Sequence, residues 1–135
     1  MHLTHTLHVS ADFIFDHLTD MQKFRSVHPI ITKIVHLDDG QYRAYEKLPL
    51  PMFSMNITYP FRLSYDRVHH TVHMKAVVMR FIDIVIDVKI NQLPDHTLID
   101  ELIDIRAPWP LPYFIKGVFR RQHDQLFANI GGLLP

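Results

Sequence analysis

Apolar and polar residues alternate along most of the chain with the two-residue period of strands that bury one face. Seven stretches follow this pattern, and they are residues 3–9, 30–37, 41–47, 55–65, 69–78, 82–91 and 98–107. Asp39-Gly40 predicts a two-residue hairpin turn between the second and third stretches. No glycine or proline lies near Met79 and Arg80. We place a break there because one strand across both flanking stretches would be unusually long.

Prolines modify the strand pattern at two places. Residues 48–53 contain two prolines and predict a loop or an irregular sheet edge, because proline cannot donate a ladder hydrogen bond. Pro60 interrupts the polar face of the long stretch 55–65. It predicts a bulge or a strand edge at that point.

Helical spacing is confined to three segments. Ser10 and Asp20 are typical N-caps for two short helices with the sequences ADFIFDHL and MQKFRSVH, and Pro29 ends the second. Residues 113–130 predict a longer helix that ends at the glycine pair following it. Its apolar stripe consists of Ile115, Val118, Phe119, Gln122, Leu126 and Ile130. The charged residues and His123 lie largely off that stripe.

The order of these elements predicts an α+β fold in one domain, residues 1–135. It is one strand, two short helices, about six more antiparallel strands and a C-terminal helix. A curved sheet of about seven strands must bury its apolar face, and one long helix is available to cover it. Because one helix cannot fill the concavity of so wide a sheet, we expect a cavity that holds an apolar ligand.

Composition narrows the classes of function. Among 135 residues, 47% are hydrophobic, and 14 Lys plus Arg balance 14 Asp plus Glu. A balanced charge gives no electrostatic footprint for nucleic acid. The absence of cysteine excludes disulfides and thiolate metal sites. The N-terminal residues lack the pattern of a signal peptide. We therefore expect a cytoplasmic monomer or homodimer without stable membrane insertion and without a cofactor.

Three segments carry a resemblance to a known superfamily. They are residues 9–15 (VSADFIF), 20–24 (DMQKF) and 28–34 (HPIITKI). Together with the order of elements, they resemble the helix-grip START/SRPBCC superfamily, which includes START lipid-transfer domains, birch-pollen allergens and polyketide cyclase/dehydrase-like proteins. The resemblance implies a cavity for a lipid, a sterol-like or a polyketide-like molecule. The chain departs from that pattern in its PWPLP segment before the last helix and in lacking glycine-rich turns before the last two strands.

Eleven histidines are the most visible feature of the composition. His69 and His73 share one strand face, and two imidazoles at that spacing can share a metal. No third ligand stands at a diagnostic spacing, so the sequence favours solvated surface histidines and predicts no metal site. His2, His5 and His8 occupy both faces of the first strand and are not expected to converge.

Two carboxylates are candidates for acid–base chemistry. Glu101 lies among aliphatic residues on the more apolar face of the last strand, together with Ile99, Ile103 and Ile105. Glu46 shares a face with Tyr42 and Ala44. A carboxyl group in an apolar cavity favours its neutral form and can act as a general acid or base. Alternatively, these carboxylates pair with arginines, of which Arg43, Arg62 and Arg80 are candidates, or lie at the wet rim.

Several residues are expected to contact the ligand. They are Tyr59, Phe61, Ile84, Ile86, Glu101, Ile103, Trp109, Phe114 and Val118. Tyr59 is either a hydrogen-bond donor to the ligand or a core tyrosine with a satisfied hydroxyl. Trp109, Tyr113 and Phe114 form either a lid or exposed patch or a staple that fixes the helix to the sheet, and the staple is favoured.

The sequence thus leaves three hypotheses open. The first is a protein that binds or carries an apolar small molecule. The second is an enzyme of the polyketide cyclase or dehydratase type that uses Glu101, Glu46 and Tyr59 to move protons. The third is an interaction domain with a vestigial cavity. No motif shows a reaction, so enzymatic activity stays uncertain and binding is favoured.

Overall fold

The computed structural model describes residues 1–133 and contains seven strands and three helices. In chain order they are β1 (His2–Leu7), α1 (Ala11–Thr19), α2 (Met21–Val27), β2 (Ile31–Asp38), β3 (Gln41–Pro49), β4 (Ser54–Asp66), β5 (Thr71–Val78), β6 (Ile82–Gln92), β7 (Thr97–Arg106) and α3 (Leu111–Gly131). The predicted order and number of elements are confirmed.

The strands form one antiparallel sheet in the order β1-β7-β6-β5-β4-β3-β2. From β2 to β7 each strand pairs with the next along the chain, as in a meander. The first strand instead lies beside the last, with Leu3 opposite Glu101 and His5 opposite Ile99. This pairing joins the two ends of the sequence and is the contact on which the candidate site depends.

Both short helices begin at the predicted caps. The Ser10 side chain accepts a hydrogen bond from the Phe13 amide at 3.2 Å. One carboxylate oxygen of Asp20 accepts from the amides of Gln22 and Lys23 at 3.0 and 3.2 Å. These bonds satisfy donors that have no partner inside a helix.

The weak turn between β5 and β6 lies where it was predicted. Met79 and Arg80 adopt positive φ angles of 54° and 66°, which side chains other than glycine adopt only at a cost. Pro60 causes no bulge, because the β3–β4 register passes through Arg43 and Pro60 without a shift. Pairing with β5 begins only at Phe61, so Pro60 lies on an unpaired edge, as the second interpretation held.

The predicted loop over residues 48–53 is wrong for its first two residues. Leu48 and Pro49 continue β3 and pair with Met55 and Ser54. Leu48 is buried, and its burial favours extension of the strand despite the neighbouring prolines. Only residues 50–53 connect β3 to β4.

Helix α3 covers the concave face of the sheet unevenly. Its buried residues belong to its C-terminal half, and they are His123, Leu126, Phe127 and Ile130. That half lies against β1, β7 and α2. A Cβ atom on Gly131 would lie 2.9 Å from a methyl carbon of Leu7, so glycine permits this close approach. The N-terminal half of α3 is less buried, and open space lies beneath it.

No helix within residues 1–133 is long and apolar enough to cross a membrane.

Candidate functional site

A cavity of about 350 Å³ lies between the concave face of the sheet and the N-terminal half of α3. Most of its wall is aliphatic or aromatic and comes from β4, β5, β6 and α3. The expected space between sheet and helix is therefore present. Six polar side chains also border it, and they are His28, Glu46, Tyr59, Glu101, Gln122 and His123.

Most of the residues expected to contact a ligand border this cavity. They are Tyr59, Phe61, Ile84, Ile86, Glu101, Phe114 and Val118. Ile103 and Trp109 do not. Ile103 is buried in the hydrophobic core. Trp109 is 86% exposed and lies in the connection between β7 and α3.

The exposed aromatic residues also correct the staple interpretation. Tyr113 is 86% exposed and Phe114 is 56% exposed, so neither they nor Trp109 fix α3 to the sheet by burial. Phe114 nevertheless borders the cavity. With Met79 and Phe81 of the β5–β6 turn, which are also exposed and border the cavity, it forms an apolar rim.

Glu101 is enclosed between two histidines. As predicted, it lies on the inner face of β7, where it is 1% exposed, while its neighbour Leu102 is 58% exposed on the outer face. One carboxylate oxygen lies 2.9 Å from Nε2 of His5, and the other lies 2.6 Å from Nδ1 of His123. A buried carboxylate requires such partners, because an unpaired charge in an apolar interior is strongly disfavoured.

The electrostatic result is opposite to that of a lone buried acid. Burial by itself would raise the pKa of Glu101, but the positive charge and hydrogen bonds of His123 and His5 outweigh burial and lower this pKa from 4.5 to about 2. Glu101 is therefore an ionised carboxylate that orients two imidazoles. The arginine pairing proposed for it is wrong, since histidines take that place.

Three side chains contact the His5 ring, and they are Phe127, Glu101 and Asp124. Its ring stacks on Phe127 with 4.3 Å between centroids. Its Nε2 contacts Glu101, and its Nδ1 lies 3.8 Å from a carboxylate oxygen of Asp124. Asp124 is 61% exposed, whereas His5 is 8% exposed. The contacts of His5 therefore extend from a buried carboxylate to one that faces water.

Glu46 and Tyr59 form a second polar pair in the cavity wall. The Tyr59 hydroxyl donates a hydrogen bond to the Glu46 carboxyl. Burial raises the pKa of Glu46, although the Tyr59 hydrogen bond and the charge of His123 partly oppose this. Burial and the adjacent Glu46 raise the pKa of Tyr59 well above its usual value of 10.0. Burial thus acts on Glu46 in the direction expected for a carboxyl group in an apolar cavity, whereas the pKa of Glu101, for which the same was expected, is lowered.

His28 contributes a third polar group. Its Nδ1 accepts hydrogen bonds from the backbone amides of Ile30 and Ile31 at 3.2 and 3.1 Å. A nitrogen that accepts cannot carry the proton, so Nε2 carries it. Burial, with a smaller effect of His123, lowers the pKa of His28 from 6.5 to about 3. The imidazole is therefore neutral and presents an N–H group.

Sequence reasoning missed His5, His28 and His123. His5 shares the apolar face of β1 with Leu3 and Leu7, both of which are buried. His123 follows Phe119 and precedes Phe127 by one helical turn each, so the placement of His123 off the apolar stripe was wrong. Glu101 is buried on β7, the strand that pairs with β1. A buried carboxylate needs a basic partner, which therefore had to lie on the inner face of β1 or of α3.

The histidines that the sequence singled out lie elsewhere. His73 contacts Asp87 at 2.6 Å, and His69 contacts Asp66 at 2.7 Å, and both histidines are largely exposed. Within residues 1–133, no group of three or more His, Cys, Asp or Glu side chains is arranged to hold a metal ion. His73 lies on β5, but His69 lies in the turn before it, so the predicted shared strand face is wrong. Both side chains face water, and the absence of a metal site stays a prediction.

Comparison with known proteins gives matches in structure alone. No protein-family model and no curated protein matches the chain. Among solved structures, the di-domain ARO/CYC StfQ from the steffimycin biosynthetic pathway superposes with a TM-score of 0.77 at 12% identity. The match covers 97% of this chain and 43% of StfQ, so the chain spans less than half of that protein.

Two further structures match over nearly their whole length. The Zhui aromatase/cyclase from Streptomyces sp. R1128 has a TM-score of 0.73 at 12% identity, with 98% of this chain and 90% of that chain covered. A START superfamily protein from Mycobacterium smegmatis has a TM-score of 0.70 at 17% identity, with 98% and 94% covered. The chain has the helix-grip fold. Its resemblance to START/SRPBCC proteins is confirmed at the level of fold.

Proposed function

We propose that this helix-grip chain binds an apolar small molecule in the cavity beneath the N-terminal half of α3. The observation that carries the proposal is the cavity itself, whose volume of about 350 Å³ and largely apolar wall suit a small ligand. The few polar groups would orient a ligand that is mainly hydrocarbon or aromatic and carries one or two oxygen atoms.

The first experiment identifies what the protein retains. Native mass spectrometry of protein purified from its own host should show a mass increment that disappears on extraction with organic solvent. The extracted compound should be apolar and fit the cavity. A binding assay with a defined probe accompanies this experiment.

The binding assay uses prodan, a neutral dye whose emission changes in apolar surroundings. Ala76 borders the cavity and is 7% exposed, whereas the next residue, Val77, is 37% exposed and does not border it. We expect Ala76→Phe to reduce prodan affinity at least tenfold, because the added ring occupies ligand space. Val77→Phe is the matched control and should bind as the unmodified chain does. Equal binding by both variants, or no binding by the unmodified chain, would refute the proposal.

A second candidate function is an acid–base enzyme that acts on a molecule bound in the same cavity. The observation that favours it is the group of polar side chains that border an otherwise apolar space. StfQ and Zhui, two of the proteins compared above, are aromatase/cyclases by name. A polyketide cyclase or dehydratase would need groups that donate and accept protons at the ligand. The fold alone does not supply that activity, so the assignment must come from specific atoms.

A further inference from the structure

The second ring nitrogen of His123, Nε2, is the polar atom of the cavity wall whose role is not yet assigned. Its Nδ1 is occupied by Glu101 at 2.6 Å. Within residues 1–133, no buried side-chain nitrogen or oxygen lacks a hydrogen-bond partner. Nε2 of His123 has no protein partner among these residues, so it must retain accessible surface. The accessible space that His123 borders is the cavity.

We propose that Nε2 of His123 is the base that removes a proton from a carbon acid bound in the cavity, and that Glu101 and His5 position it. This inference rests on the proposed binding function, because the carbon acid must first occupy the cavity. The ligand class is then an apolar molecule with an enolisable carbonyl group.

Glu101 fixes the tautomer that this role requires. Nδ1–H of His123 donates to the carboxylate, so in the neutral imidazole the lone pair lies on Nε2 and is available. The positive charge that lowers the Glu101 pKa belongs to the imidazolium, the form in which Nε2 already holds the proton. When Nε2 accepts a proton, the imidazolium forms beside an ionised carboxylate and is stabilised by it. His5 holds the other carboxylate oxygen at 2.9 Å, and stacking on Phe127 fixes His5 in turn. Glu101 and His5 do not need to contact the ligand, so they are positioning residues.

His28 supplies the complementary group. Because its Nδ1 accepts two backbone hydrogen bonds, its Nε2–H is the donor that remains. His28 borders the same cavity as His123. A neutral N–H donor in the same cavity as a base is suited to the oxygen of an enolate.

The proposed step balances without any further reactant. The C–H bond next to the carbonyl breaks, its proton moves to Nε2 of His123, and its electron pair forms an enolate. The enolate oxygen accepts a hydrogen bond from Nε2–H of His28. Return of the proton to another carbon gives an isomerisation, and attack of the enolate carbon on a second carbonyl of the same ligand, with the proton passing to the resulting alkoxide, gives a ring.

Several ionisable groups contact His123, lie next to its contacts or border the same cavity. They are His5 on β1, His28 after α2, Glu46 on β3, Tyr59 on β4, Glu101 on β7 and Asp124 on α3. Of these, the Glu101 carboxylate makes the direct hydrogen bond. We therefore expect Glu101 to have the largest influence on the pH profile of the reaction.

The test uses a nitrobenzisoxazole, a small apolar carbon acid. A base removes the one C–H proton of its isoxazole ring, the N–O bond breaks, and the electron pair moves onto oxygen to give a coloured nitrophenolate that carries a nitrile. We expect turnover above that of free imidazole, with a rate that rises with pH to a plateau. His123→Gln should lower kcat by about 100-fold. Glu101→Gln should lower kcat less than His123→Gln does and leave KM unchanged, because Glu101 acts through His123 and not on the ligand.

The control is a histidine with the same local geometry outside the cavity. His73 contacts Asp87 through Nδ1 at 2.6 Å, the same distance as between His123 and Glu101. His73→Gln should leave both kcat and its pH profile unchanged. Prodan binding measured on every variant reports whether the cavity is intact.

The outcomes separate this inference from the binding proposal. A chain that binds prodan but converts the nitrobenzisoxazole no faster than free imidazole would overturn the role of His123 and leave binding in place. A chain that does not bind prodan would overturn both. If His123→Gln fails to fold, nitrogen NMR of the unmodified protein replaces it. Nitrophenol, which resembles the product, should shift the Nε2 signal of His123 and leave that of His73 in place, and an unmoved His123 signal would overturn the role.

Discussion

Glu101 on β7 and His123 on α3 are 22 positions apart in the chain, and the Glu101 carboxylate lies 2.6 Å from Nδ1 of His123. The contact exists because the C-terminal half of α3 packs on β1 and β7, where Glu101 faces inward. It joins a buried negative charge to a residue of the cavity wall. The contribution of this contact to the stability of the fold and its contribution to turnover can be measured in separate experiments.

Glu101→Gln tests the contribution of the carboxylate to stability. The folded-state pKa of about 2 lies below the usual 4.5, so the stabilisation is complete above pH 4.5 and is lost as the pH falls towards 2. We expect the variant to lose about 3 kcal/mol of unfolding free energy at neutral pH. It should also show a flatter acid dependence. Urea denaturation across this pH range measures both effects.

The matched control for that variant is the preceding residue, Asp100. Asp100 contacts His2 at 3.1 Å, but both side chains are substantially exposed, at 44% and 55%. Asp100→Asn should change the unfolding free energy by less than about 1 kcal/mol. Equal losses of unfolding free energy in the two variants would show that the buried Glu101 contact stabilises the fold no more than the exposed Asp100 contact does.

Tyr59→Phe tests the second polar pair. Burial already raises the pKa of Glu46, and the Tyr59 hydrogen bond is one of the effects that hold it down. Removal of the hydroxyl should therefore raise this pKa further, and carbon NMR of the Glu46 carboxyl measures it. Because the folded-state pKa exceeds the unfolded one, the variant should lose stability as the pH rises through that value.

The expected loss for Tyr59→Phe is about 1 to 3 kcal/mol, the usual cost of leaving a buried acceptor without its donor. Tyr65 is on the same strand and is 57% exposed, so Tyr65→Phe is the control and should be nearly neutral. An unchanged Glu46 signal in Tyr59→Phe would mean that the hydroxyl does not donate to this carboxyl in solution.

The sequence was sufficient for the sheet because the sheet has one buried and one wet face, and a two-residue period follows directly from that. It was not sufficient for the site, because β1 and β7 are distant in the chain and no local pattern announces their pairing. The need of Glu101 for a cationic partner was predictable. The identity of that partner was not, because polar residues on apolar faces, such as His5 and His123, contribute little to a hydrophobic pattern.

Phe127→Ala and Trp109→Ser test which aromatic residues hold α3 to the sheet. Phe127 is 1% exposed and stacks on His5, whereas Trp109 is 86% exposed. We expect Phe127→Ala to cost about 3 to 5 kcal/mol, as for other buried aromatic residues. Trp109→Ser should change stability by no more than about 0.5 kcal/mol. Thermal and urea unfolding measure the difference, and a large loss in Trp109→Ser would restore the staple interpretation.

The turn between β5 and β6 provides a test of stability against function. Met79 and Arg80, the first two of the three residues that connect β5 to β6, have φ angles of 54° and 66°, which asparagine and glycine adopt more readily than other residues. Replacing the pair by Met79→Asn and Arg80→Gly should therefore raise the unfolding free energy by about 1 kcal/mol. Met79 also borders the cavity, so prodan affinity should fall in the same variant.

At the β2–β3 turn, by contrast, Gly40 has a φ of 69°, and a Cβ there would lie 3.0 Å from the Leu63 carbonyl oxygen. Gly40→Ala should therefore destabilise the protein. In the variant with Met79→Asn and Arg80→Gly, a gain in stability without loss of prodan affinity would show that Met79 is strained for a reason other than ligand binding.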